Sequence, residues 1–152
     1  MTAITLDGIS ARTPSGWDAR IYRRPSAGGE SSHCVLHGAN FALPPGMGDY
    51  GSGAVETMGS SDVLIALLEF DPSDADSALF GRSGLPEALD PAAFSSSSLQ
   101  RALPRQAGLQ VFFNQSRRAF CLYVVLGSST ARPRLASLAN RFLAGITIGA
   151  GG

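Results

Sequence analysis

The stretch Leu109-Gln110-Val111-Phe112-Phe113-Asn114-Gln115-Ser116-Arg117-Arg118-Ala119-Phe120-Cys121-Leu122-Tyr123-Val124-Val125-Leu126 decides the fold. Two β-rich runs, Leu109 to Phe113 and Ala119 to Leu126, flank the polar link Asn114 to Arg118, which is the pattern of an antiparallel hairpin. Downstream, Ser129 or Thr130 can cap a helix with Pro133 in its first turn. Leu135, Leu138, Ala139, Phe142 and Leu143 then follow the i, i+3, i+4, i+7, i+8 spacing of a single apolar stripe. Gly145 stops that helix, and Ile146-Thr147-Ile148 returns as a short strand before the tail at residues 149–152.

Upstream, Val63 to Phe70 is apolar at nearly every position, as expected of an interior strand covered on both faces. Ile4 to Ile9 is predicted as a first strand. Trp17 to Tyr22 alternates as a second, with Trp17, Ala19 and Ile21 facing the core. His33 to Leu43 reads as a third strand, carrying Val35, His37, Ala39, Phe41 and Leu43 on one face and ending at Pro44-Pro45. Gly46 to Gly59 reads as a glycine loop with a short helix over Ala54 to Met58. Pro72 to Gly108 reads as a long insert, with short helices at Pro86 to Leu89 or Ser98 to Leu103, that covers the sheet or forms a functional loop. The prediction is one α+β domain over residues 1–148: a mainly antiparallel β-sheet backed by a C-terminal amphipathic helix, sandwich-like, with a partly helical insert.

The chain has 152 residues, 44% of them hydrophobic, with twelve basic and twelve acidic side chains. Every basic residue is arginine, which excludes Schiff-base chemistry, pyridoxal phosphate attachment and a Walker-type phosphate loop. The balanced charge argues against a nucleic-acid partner or an anionic membrane surface. The apolar runs are too short to span a bilayer, and Met1 to Gly16 lacks a secretory pattern, so a cytoplasmic location is expected. Cys34 and Cys121 sit in strand-like segments as expected of buried free thiols, and would pair only if their strands were neighbours.

Gly16-Trp17-Asp18-Ala19-Arg20-Ile21-Tyr22, Phe41-Ala42-Leu43-Pro44, Leu68-Glu69-Phe70-Asp71 and Ala119 to Gly127 look like segments of small uncharacterised actinobacterial proteins. The order of hairpins, long insert, hairpin and final helix resembles the Mog1/PsbP-like α/β/α sandwich. That resemblance implies an adaptor, chaperone or assembly factor rather than an enzyme.

The motifs that promise chemistry meet physical obstacles. Gly46-Met47-Gly48-Asp49-Tyr50-Gly51 spells a dinucleotide fingerprint, but Pro44 and Pro45 separate it from the strand and the helix after it is too short to cross a sheet. His33 and His37 would share a metal on a helix; on a strand they lie about 13 Å apart. Gly81-Arg82-Ser83-Gly84-Leu85 lacks the second glycine and the strand of a nucleophile elbow. Asp71, Asp74 and Asp76 lack the glycine and terminal acid of a calcium loop. No metal or cofactor is therefore expected.

The candidate binding residues are Arg20, Tyr22, Arg24, His37, Glu69 and Asp71. Arginines beside an aromatic ring can hold a carboxylate or phosphate or anchor a protein contact. Glu69 interrupts an apolar run, so it needs an arginine or water, and it shares a strand face with Asp71. The leading expectation is a protein-interaction module with a protein partner, for which homo-oligomerisation remains open. The alternatives are a small-molecule binder or enzyme with a pocket between sheet and insert, using His37, Glu69 or Cys121, and a structural subunit of a larger assembly.

Overall fold

A computed structural model of the chain describes residues 2–24, 33–46, 53–99 and 103–150. The elements are β1 (Thr2–Leu6), β2 (Ile9–Thr13), β3 (Asp18–Arg23), β4 (Cys34–Ala39), α1 (Ala54–Thr57), β5 (Val63–Phe70), β6 (Ala107–Gln115), β7 (Arg118–Leu126), α2 (Arg132–Leu143) and β8 (Ile146–Ile148). They form an antiparallel five-stranded sheet of order β3-β4-β5-β7-β6 and an antiparallel three-stranded sheet of order β1-β2-β8. The class is α+β. β5 and β7 pair from Val63–Leu126 to Phe70–Ala119 at the centre of the larger sheet, and every residue of β7 is buried. This burial on both faces explains their unbroken apolar runs.

The decisive hairpin closes on two residues, not on the five-residue link expected. Ser116 (φ 54°) and Arg117 (φ 61°) make the turn, and Asn114 and Gln115 at one end with Ala107 and Gly108 at the other extend β6 to nine residues. The first predicted strand, Ile4 to Ile9, is likewise corrected. The chain reverses at Asp7 (φ 51°) and Gly8 (φ 81°), the two left-handed positions of a tight hairpin turn, so the run divides into β1 and β2. The strand predicted from His33 to Leu43 is shorter and stops at Ala39. There Asn40 accepts from the Val63 N–H at 2.7 Å and donates to the Ser61 carbonyl at 3.0 Å. Phe41 and Leu43 still pack on the sheet, from irregular backbone.

Helix α2 covers one face of the large sheet with Leu135, Ala136, Ala139, Phe142 and Leu143 buried. The expected cap at Ser129 or Thr130 is corrected: Ser129–Ala131 forms a 3-10 turn and Ala131 stands at the cap position with no side-chain bond. A missing cap costs about 1 kcal/mol, whereas each large apolar side chain buried contributes about 1.5–3 kcal/mol, so packing decides the helix. Phe142 lies over Gly38 of β4 and stacks on Trp17 with ring centroids 5.0 Å apart. The same layer holds Ile9, Ala11, Ile146 and Ile148 of the small sheet, so the two sheets share one core.

The 72–108 insert is held down rather than structureless. It contains 3-10 turns at Pro72–Asp76, Ala78–Phe80, Pro91–Ala93 and Ser96–Ser98. The helix predicted at Pro86 to Leu89 is irregular chain: Leu89 is buried, and its N–H is bound by the Asn140 side chain of α2 at 2.7 Å. The helix predicted at Ser98 to Leu103 falls partly on residues 100–102, outside the described residues, and the turn before it ends at Ser98. Phe94, 1% exposed, inserts into the shared core. The glycine fingerprint lies mostly outside the described residues. The predicted tail is tied at its first residue, where the Gly149 N–H donates to the Gly8 carbonyl at 2.8 Å.

Candidate functional site

The face of the large sheet turned away from α2 gathers four of the six candidate residues. Side chains alternate along a strand, so β3 sends Arg20 and Tyr22, and β4 sends His37, to this face. Register aligns Arg20 with His37, then Ala66, Tyr123 and Gln110, in one row across all five strands. Arg20 Nε donates to His37 Nδ1 at 3.0 Å and its Nη1 donates to the Pro44 carbonyl at 2.6 Å. Accepting that bond needs a lone pair on Nδ1, which puts the proton of the neutral ring on Nε2. Tyr22 meets the His37 ring edge-on, centroids 5.7 Å apart. Arg24, further along, donates from Nη2 to the Glu69 carbonyl at 2.7 Å and lies 5.3 Å over the Phe70 ring. His37 is wholly buried, and Arg20 Nη2 is buried with no hydrogen-bond partner among the described residues.

Glu69 and Asp71 are not part of this group, and the expectation that they act from one face is corrected. Glu69 points to the opposite face, where Arg118 holds it with two bonds: Nε to Oε2 at 2.7 Å and Nη2 to Oε1 at 2.9 Å. Arg118 Nη1 also donates to the Asp7 carbonyl at 2.7 Å and the Gly149 carbonyl at 3.0 Å. Glu69 thus has the arginine partner its apolar run demands, and the pair joins the turn of β1 and β2 and the end of β8 to the large sheet. The bond to Glu69 pushes the Arg118 guanidinium further up, outweighing burial. Asp71 lies past the strand end, exposed, where it accepts from the Ser73 N–H and hydroxyl at 2.9 and 2.8 Å. Those bonds lower its pKa by favouring the carboxylate.

The cysteines are free and buried on opposite faces, separated by β5, so they do not pair. Burial, aided by the bond from its thiol to Asp7, pushes Cys34 up to about 12. Burial raises Cys121 to about 11, against a lowering contact from Gln110. Among the described residues no three His, Cys, Asp or Glu side chains cluster to hold a metal. A cavity of about 310 Å³ lies between the insert (Leu85, Pro86, Glu87), Gln115 and the end of α2, and none of His37, Cys121 and Glu69 lines it.

Sequence reasoning missed Tyr123 and Gln110 as members of the polar row, and Arg118 as the partner of Glu69. Their signal is the hairpin register: once Ser116 and Arg117 are the turn, Gln110 falls opposite Tyr123, and Arg118 falls at the strand end beside Glu69. No family model, curated protein or solved structure matches the chain. No helix is long and apolar enough to cross a membrane.

Proposed function

We propose that the chain is a non-enzymatic protein-interaction module, of the adaptor, chaperone or assembly-factor kind that the Mog1/PsbP-like resemblance implies. The observation that carries this reading is the dispersal of its reactive side chains. Acid–base and nucleophilic catalysis need groups within hydrogen-bonding reach of one another or of one substrate. Glu69 is held by Arg118 on one face, while His37 and Cys121 stand on the other, on strands with β5 between them, about 10 Å apart at ordinary strand spacing. Both thiols are favoured in the protonated, weakly nucleophilic form.

The test is turnover of a generic ester and a generic phosphomonoester by the purified chain and by His37→Ala and Cys121→Ala. Activity at background in all three is the expected result; activity that one substitution abolishes while the chain stays folded would sink the reading. A second reading, a small-molecule binder, is favoured by the cavity between the insert and α2. Ligand-induced stabilisation lost in Leu85→Asp would support it.

A further inference from the structure

We infer that the outer edge of β6 between Gly108 and Asn114 receives a short extended segment of a partner protein as a guest strand; this rests on the interaction-module reading and names the partner's chemistry. At Gly108 the main chain exchanges two bonds with Ser95, N–H to carbonyl at 2.8 Å and carbonyl from N–H at 2.9 Å. At Asn114 the N–H donates to the Arg82 carbonyl, and the carbonyl accepts from the Gly84 N–H, both at 2.8 Å. Residues 108 and 114 therefore turn their main-chain groups away from β7, and by the two-residue alternation so do Gln110 and Phe112. Neither of these two has a main-chain partner on that side among the described residues. The described part of the insert thus supplies both ends of a sixth strand and leaves its middle open.

Gly108 to Asn114 spans about 20 Å, which leaves a guest about three residues between the two bridging segments. Two donors and two acceptors lie in line there, the set that strand addition uses. Leu109, Gln110, Val111 and Phe112 are half-buried where the rest of the hairpin core is buried, so apolar side chains of a guest would meet Leu109 and Val111 on one face and Phe112 on the other. β6 carries no charged residue, which favours an uncharged guest. A folded edge, including β6 of a second copy, would collide with the bridging segments that flank the gap; an extended segment without neighbours of its own would not.

The experiment titrates the full chain with a capped Val-Thr-Val tripeptide, the length the gap admits, and follows backbone amides by NMR. The expected result is that the amides of Gln110 and Phe112 shift and exchange more slowly, while those of Leu109 and Val111, bonded to β7, keep their protection. Gln110→Pro removes an outward N–H that the fold does not use and should weaken binding about tenfold, with Gln110→Ala close to wild type. If Gln110→Pro does not fold, the wild-type amide map decides alone. Absence of binding at millimolar peptide, shifts confined to another surface, or a folded Gln110→Pro that binds as wild type would overturn the inference. The broader module reading is judged separately, by the turnover measurement, which this edge does not enter.

Discussion

At Gly38 a single missing methyl group sets how closely the helix layer approaches the sheet. A Cβ there would fall within the Phe142 ring, so Gly38→Ala must push α2 outward and loosen the Trp17 stack. Overpacking of this kind costs about 1–3 kcal/mol, to be read as a lowered denaturation midpoint. Glu69→Gln has a different cause: it leaves the Arg118 guanidinium buried without its counter-charge, and a loss of about 3–5 kcal/mol is expected in the same measurement. The cysteines give the pH-dependent case. Their pKa values are raised in the folded chain above an ordinary value of 9.0, so the stability they contribute is complete below about pH 9. It is lost as pH rises toward 11–12. Alkylation at pH 8 should therefore leave both thiols unmodified in native protein and modify both in denaturant. Rapid labelling of native protein would contradict the assigned burial.

Among the elements, those with strong periodicity were legible in the sequence and those set by local turn chemistry were not. The 109–126 hairpin, the 63–70 strand and the helix stripe ending at Leu143 all appear where the patterns put them, because burial on a fixed period leaves a fixed trace. The division of residues 2–13 into β1 and β2 depended on Asp7-Gly8, a hairpin signal that a run of apolar residues conceals. The helix cap was misplaced because core burial outweighs it. The insert carried no period at all: its order comes from contacts distant in sequence, such as Leu89 with Asn140. The polar face was legible only in part, since Arg20, Tyr22, Arg24 and His37 stood out by type, whereas Gln110 and Tyr123 join it through register. Asn140→Ala tests the insert's anchoring: the Leu89 amide should lose protection against hydrogen exchange while the amides of β5 and β7 keep theirs.

Across the molecule, two sheets are joined by one core, by the ion pair of Arg23 with Asp7, and by the bonds of Arg118 to main-chain carbonyls. β8 completes the small sheet by pairing with β2, and Arg118 binds the Asp7 and Gly149 carbonyls together. A chain ended at Gly145 should keep the large sheet but release the first hairpin, seen as rapid proteolysis confined to residues 2–13. Uniform sensitivity throughout would show instead that the two sheets unfold as one unit.

The pairing of β2 with β8 also sets an order of events during synthesis. Ile9 finds its neighbour Ile148 only after nearly all of the chain between them has been made. The five-stranded sheet has all its strands by Leu126, so it can assemble while the first hairpin still waits with Ile9 and Ala11 uncovered. Contacts so distant in sequence form slowly, and an unclosed apolar edge is exposed to aggregation in the interval. For a nascent chain emerging from the ribosome, the first hairpin is the segment a holding chaperone would have to keep covered until β8 has been made.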